Sequence, residues 1–283
     1  AQVLIPLATM TVEPEKTGEV VGFLMSGLLV GILLSTSLAG LFSNLFHWKV
    51  IYVVSGILML ILAYALKSRL PYVMRIKMDY RQIFVSMAEL LKQEKRLLLR
   101  ALTGAFAFAA VSILYSTIAL LLTAAHHLPD LVIGMVSLVG IFGALSTQYI
   151  GRYADQGYTK QLTWIGCGLF ILSWICFYFG QTFLFSYILG FAVIQLALAL
   201  VHTSNQSIIF RLRPDAKSRI NAIYMTAYFT GGACGSALGI FSWNHGGWTM
   251  TCIAGISLVF ACMLFSLLDN YLIYKNENTA SDC

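Results

Sequence analysis

The chain has 283 residues, 59% hydrophobic and 11% charged, with a mean hydropathy of +0.80. A soluble domain carries roughly 25% charged residues, so lipid must be the solvent for most of this surface. The formal charge of +6 would suit nucleic acid, but its placement along the chain argues otherwise.

The first ten residues, AQVLIPLATM, are apolar but too short to cross a bilayer, and the chain does not begin with Met. A spanning helix needs about 20 largely uncharged residues. Lys, Arg, Asp and Glu are absent from 20–48, 50–66, 101–129 and 131–151, and from two longer runs, 161–210 and 220–268. Each longer run holds a turn signal near its middle, at Gly180-Gln181 and at Asn244-His245-Gly246-Gly247. The pattern predicts an all-α, polytopic membrane protein of about eight helices, near 20–43, 49–66, 99–123, 131–150, 161–179, 183–208, 219–242 and 248–269. The runs are continuous instead of alternating, which excludes a β-barrel.

Between the second and third spans, Ile83, Met87, Leu90 and Leu91 share one helical face with Arg81, Lys92 and Lys95 nearby, which predicts an amphipathic surface helix over 79–97. The basic residues set the orientation. With both ends in the cytoplasm, all of the 18 Lys and Arg except Lys49 fall on that side. That accounts for the positive charge without nucleic acid and puts Trp48, Trp243 and Trp248 at the outer interface. Five cysteines, Cys167, Cys176, Cys234, Cys252 and Cys262, lie in apolar runs and read as small core residues; Cys283 is in the tail. The outer-loop residues His126, His127 and Asp130 read as solvated, and nothing else suggests a metal or cofactor.

The sequence resembles itself at an offset of about 200 residues, as transporter repeats do. Gly31 and Ser35 match Gly232 and Ser236, and Trp48 matches Trp248. By that offset the six spans through 269 form one repeat, and the first repeat shows only its last two. About 100 residues, or three and a half helices, are then expected ahead of Ala1. The expected organisation is an N-terminal half ending at 66, a linker over 67–97, a C-terminal six-helix half over 98–270 and a cytoplasmic tail over 271–283.

The loop Gly151-Arg152-Tyr153-Ala154-Asp155-Gln156-Gly157 resembles the G-R-x-x-D-x-G signature of the major facilitator superfamily. The run from Arg219 to Ser236, with Gly231, Gly232 and Gly235, resembles the penultimate helix of its drug-efflux-like branch. The resemblance implies helices 5–12 of a twelve-helix fold, with residues 1–10 as the stub of helix 4. It also implies that Asp155 latches the two halves, and by pseudo-symmetry Asp155 is expected to face the helix start near Gly18 to Gly22. The glycines Gly27, Gly31, Gly231, Gly232 and Gly235 are expected at close helix contacts. Ser35 and Thr36 stand where the superfamily's antiporter motif carries Gly-Pro.

In that fold substrate binds near mid-membrane between the halves. Ser112, Tyr115, Ser116 and Gln195, with Phe106 and Phe108 as an aromatic wall, are the candidates to line the cavity. His202, Asn205 and Gln206 form a polar patch nearer the cytoplasmic end. No Asp or Glu falls deep in a predicted span, so the coupling group is expected ahead of Ala1. Enzyme signatures such as H-E-x-x-H, G-x-S-x-G or paired carboxylates are absent. The implied function is alternating-access transport of a small organic solute, as proton-coupled efflux or antiport by a monomer in the bacterial inner membrane. The competing expectation is a non-functional, truncated remnant of such a transporter.

Overall fold

The computed structural model describes residues 12–13, 16–47, 49–69 and 80–281. The stub at 1–10, Trp48 and linker residues 70–79 lie outside the described residues. The elements in order are α1 (Thr17–Leu45), α2 (Val50–Arg69), α3 (Tyr80–Gln93), α4 (Lys95–His126), α5 (Asp130–Leu138), α6 (Ile141–Leu145), α7 (Thr147–Asp155), α8 (Thr159–Gly180), α9 (Leu184–Leu212) and α10 (Lys217–Ser281), with a 3-10 turn at Pro214–Ala216. No strand occurs among the described residues.

Among the described residues, six helical stretches are long and apolar enough to cross a membrane. The last of them, Pro214–Tyr274, is two helices run together, because Gly246 (φ −149°) and Gly247 (φ 61°, ψ −152°) leave helical geometry. Only glycine adopts the second conformation without strain. Divided there, and with the 29-residue α1, the described residues provide eight spanning helices. We call the two arms α10N and α10C.

Three departures from the predicted helices have local causes. The predicted surface helix breaks at Glu94, whose extended backbone (ψ 80°) starts α4 at Lys95. The apolar face of α3 turns inward: Leu90 is buried, and Met87 and Leu91 pack against the core. The predicted span 131–150 runs on to Asp155 but is broken into α5, α6 and α7. Here α9 closes onto it so tightly that a Cβ at Gly143 would lie 2.6 Å from the Leu196 nitrogen. At the end of α4, His127 takes the left-handed conformation (φ 53°), its N–H bonds back to the helix, and Pro129 prevents continuation.

Helix α9 is the hub. Every residue from Ala197 to Phe210 is buried, against α8 on one side and α4, α6, α7 and α1 on others. The α10C arm is pinned to α8: Trp248 Nε1–H donates to the Phe177 carbonyl at 2.7 Å, and Gly255 lies flat against the Trp174 ring. By contrast α2 leaves Ile57 through Leu62 and Tyr64 exposed. Cys167, Cys252 and Cys262 are core residues as expected, but Cys234 is exposed.

Candidate functional site

The first candidate site is the contact between α1 and α7. A helix start leaves its first N–H groups without intrahelical partners and carries partial positive charge. Lys16, at the cap of α1, makes no side-chain capping bond. The cap comes from Asp155 at the far end of α7, whose two carboxylate oxygens accept from Gly18 N–H (2.9 Å) and Glu19 N–H (3.0 Å). Arg211, at the end of α9, adds an ion pair to Asp155 at 2.6 Å, and Arg152 pairs with Glu19 at 2.8 Å.

Below this cap the two backbones nearly touch. Gly18 and Gly22 on α1 face Thr147 and Gly151 on α7, both pairs at the i,i+4 spacing of one helix face. A Cβ at Gly151 would strike the Gly18 carbonyl, and one at Gly22 the Thr147 carbonyl. Thr147 Oγ1 donates to the Gly22 carbonyl at 2.8 Å. Gly157 (φ 94°) lets the chain turn sharply after Asp155.

Packing glycines of α1 are therefore Gly18 and Gly22. Gly27 and Gly31, expected at a close contact, meet nothing within 4 Å among the described residues, whereas Gly18 and Gly22 meet α7. The second set does pack closely: Gly231 and Gly235 sit on the backbone of Ala105 and Ala109, and Gly232 on the Phe108 ring.

The second candidate site was not visible in the charge-free runs. Asp269 lies in α10C with no exposure and is bound by Arg100 of α4, itself 1% exposed, through Nε (2.9 Å) and Nη2. Arg96, one turn earlier, reaches the other carboxylate oxygen at 3.1 Å. Arg100 Nη1 also donates to Asn205 Oδ1 of α9 at 3.2 Å and contacts Thr163 of α8 at 3.4 Å. Four helices thus meet at one ion pair. Asp269 is near the end of the apolar segment, which runs to Tyr274, and α10C continues past it as helix to Ser281. A usable signal was present: Arg100 and Asp269 bound their charge-free runs on the same predicted side of the membrane.

Further along α9 the polar patch is wholly buried. The Tyr224 hydroxyl lies 3.0 Å from His202 Nδ1, with the Asn205 side chain nearby. Gln206 Nε2 reaches the Met225 sulfur at 3.7 Å. Thr203, Ser204, Ser207 and Gln206 Oε1 have no hydrogen-bond partner among the described residues.

The six cavity candidates do not line one space. Gln195 Nε2 donates to the Tyr115 hydroxyl, with Phe191 edge-on to that ring. Phe108 stacks on Tyr228 at 4.1 Å, and Ser112 and Ser116 also face α10N, beside Gly232 and Gly239. Phe106 turns to α10C and stacks on Phe265 at 5.4 Å. Phe106 and Phe108 are two residues apart on a helix, about 200° around its axis, so they cannot form one wall. Phe106 lines an apolar crevice of about 390 Å³ with Ala109, Gly231, Cys234 and Leu258. Among the described residues no cluster of His, Cys, Asp or Glu could hold a metal; His126 Nε2 lies 2.8 Å from the Gly180 carbonyl.

Eight apolar spans, closed at one end by charged and glycine-mediated contacts, define a multi-pass membrane protein. The family model of the Major Facilitator Superfamily matches residues 2–236 and 100–279, and the chain belongs to that superfamily of transporters. It is 41% identical over 266 residues to the uncharacterized transporter YgaY of Escherichia coli, in both K12 and O157:H7, covering 93% of this chain and 68% of each relative. A Streptomyces coelicolor protein named probable transporter SCO4007 is 25% identical over 264 residues, covering 91% of this chain and 61% of that protein.

Proposed function

We propose that this chain moves a small organic solute across the membrane by alternating access, as a secondary transporter coupled to protons and running outward. The observation that carries the reading is the Asp155 cap on α1. It joins the first two helices to the last six by two directional hydrogen bonds and a glycine contact, an arrangement that can part and re-form. In this reading residues 1–66 end one half, 67–97 link the halves, 98–270 form the other half and 271–283 the tail. The basic end faces the cytoplasm, the host is the bacterial inner membrane, and the latched state is closed on that side. Solute would meet Tyr115 and Gln195 first, since both are polar and face the space between α4 and α9. The working unit is a monomer in lipid, and nucleic acid is no partner.

The test uses cysteines at Glu19 and Arg152, whose side chains pair across the latch. Everted vesicles holding this Glu19→Cys/Arg152→Cys protein are acidified inside and given a panel of small organic solutes, with a pH-sensitive dye as readout. Under the proposal at least one solute releases protons, oxidative cross-linking stops the release, and reduction restores it. Release that continues at full rate through a complete cross-link refutes the latch.

A further inference from the structure

An ionisable side chain inside a membrane span is expensive and marks a functional site by default. Here one such group sits at the inner end of a chain of polar contacts. The chain starts at Arg96, about a third exposed, and runs through Asp269, Arg100, Asn205 and Tyr224 to His202. His202 lies about four residues from the middle of α9, or about 6 Å along the axis, well inside a hydrocarbon core about 30 Å thick.

The direction of each bond follows from the donors available. Arginine can only donate, so Asn205 Oδ1 accepts from Arg100. The Asn205 amide nitrogen is left to face outward, toward the Arg100 carbonyl (3.4 Å) and the Tyr224 oxygen. Tyr224 O–H is then free to donate to His202 Nδ1. With that donation the imidazole is neutral and carries its proton on Nε2. The titratable groups around it are Tyr224 and Tyr228 of α10N, with His202 stacked 4.6 Å from the Tyr228 ring. Beyond them lie Arg100 and Tyr115 of α4, Cys262 and Asp269 of α10C, and Cys167 of α8.

We propose that His202 is a proton-binding site of this transporter, its charge sensed at the Arg100–Asp269 pair through Tyr224 and Asn205. A proton taken from water forms Nδ1–H and leaves an imidazolium. Tyr224 can no longer donate there and must turn to accept, which frees its own hydrogen and disturbs the contact with Asn205. On the other side of the cycle the proton returns to water and the chain resets. The second observation is the stripe beside His202. The Thr203, Ser204 and Ser207 hydroxyls and Gln206 Oε1 are fully buried without partners among the described residues. Such groups are costly to bury, and Gln206, one turn along α9 from His202, is placed to hold water beside a charged imidazole. The proposal rests on the transport reading above and names its coupling group.

The experiment measures hydrogen exchange at the Gly18 and Glu19 amides, which the latch protects. The full chain is placed in lipid nanodiscs at about pH 5.5 and about pH 7.5, on either side of the ordinary histidine range. After correction for intrinsic exchange, wild type should change severalfold between the two, His202→Gln should stay flat, and Tyr224→Phe should respond at a higher pH because the neutral imidazole has lost its donor. An unchanged response in His202→Gln, or none in wild type, overturns the proposal. Nitrogen-15 histidine spectra of the same samples read the group directly. A resonance missing from His202→Gln should report a charged ring at about pH 5.5 in part of the population; a ring neutral throughout also overturns it. Asp155→Asn separates the two readings: if it leaves exchange unchanged, the latch fails independently of His202.

Discussion

Replacing Asp155 by Ala removes the acceptor for two backbone N–H groups and the partner of Arg211. Hydrogen bonds to a charged group contribute about 1.5–3 kcal/mol each, net of water. The Arg211 pair adds little, because that side chain is 44% exposed and such pairs are screened. Water also recovers part of the amide bonding once the contact opens. Counting the two amide bonds at the low end gives about 2–3 kcal/mol, or about 30- to 150-fold in the closed-to-open ratio. Asp155→Asn keeps one acceptor oxygen and should lose about half of that free energy, a shift of about tenfold. Hydrogen exchange at Gly18 and Glu19 in nanodiscs measures both variants, and the order wild type, Asn, Ala is the signature. Protection within about threefold of wild type in the Ala variant would mean that the carboxylate does not hold the helices together, and the energetic argument would fail with it.

Elsewhere the structure makes further predictions. Asp269→Ala strands a buried Arg100 and should destabilise the bundle by about 3–5 kcal/mol, whereas Arg100→Leu/Asp269→Leu should recover most of it; thermal unfolding in detergent compares the two. Gly151→Ala should weaken amide protection at Gly18, because its Cβ meets a backbone carbonyl that cannot rotate away. Gly27→Ala has open space and should raise thermal stability by about 0.5–1 kcal/mol through helix propensity. Trp248→Phe loses the bond to the Phe177 carbonyl and should lower stability by about 1 kcal/mol, seen as a lower melting temperature.

Burial in lipid writes itself plainly into a sequence: long uncharged runs have one structural solution, and the eight spans follow from them. Asp155 was legible too, because a helix start has few ways to satisfy its N–H groups and the loop motif placed an acidic residue near one. Which way a side chain points around a helix was not legible. Ser112, Tyr115, Ser116, Phe106 and Phe108 all lie at useful depth, yet they face three different neighbours, and only the packing of α10N and α10C decides which. Gly27 and Gly31 failed for a related reason: a small residue permits close approach but does not say where the partner helix crosses. Asp269 escaped because a charge was taken as the end of a span. A carboxylate 169 residues from its arginine becomes tolerable in the bundle only once both are buried together.

The two kinds of contact in this chain differ as their roles require. Between α4 and the arms of α10, glycines lie on alanine backbone, aromatic rings stack, and an ion pair sits fully out of water. Separating those helices would expose apolar surface and strand charges. Between α1 and α7 the contact is narrow, side-chain bulk is excluded by Gly18, Gly22 and Gly151, and the polar groups are those that water can replace. When it opens, hydration takes over much of the hydrogen bonding, while Val21, Leu24 and Leu28 of α1 leave the core they pack against. The alternating-access proposal needs a rigid unit and a seam, and it puts the moving boundary at the Asp155 cap.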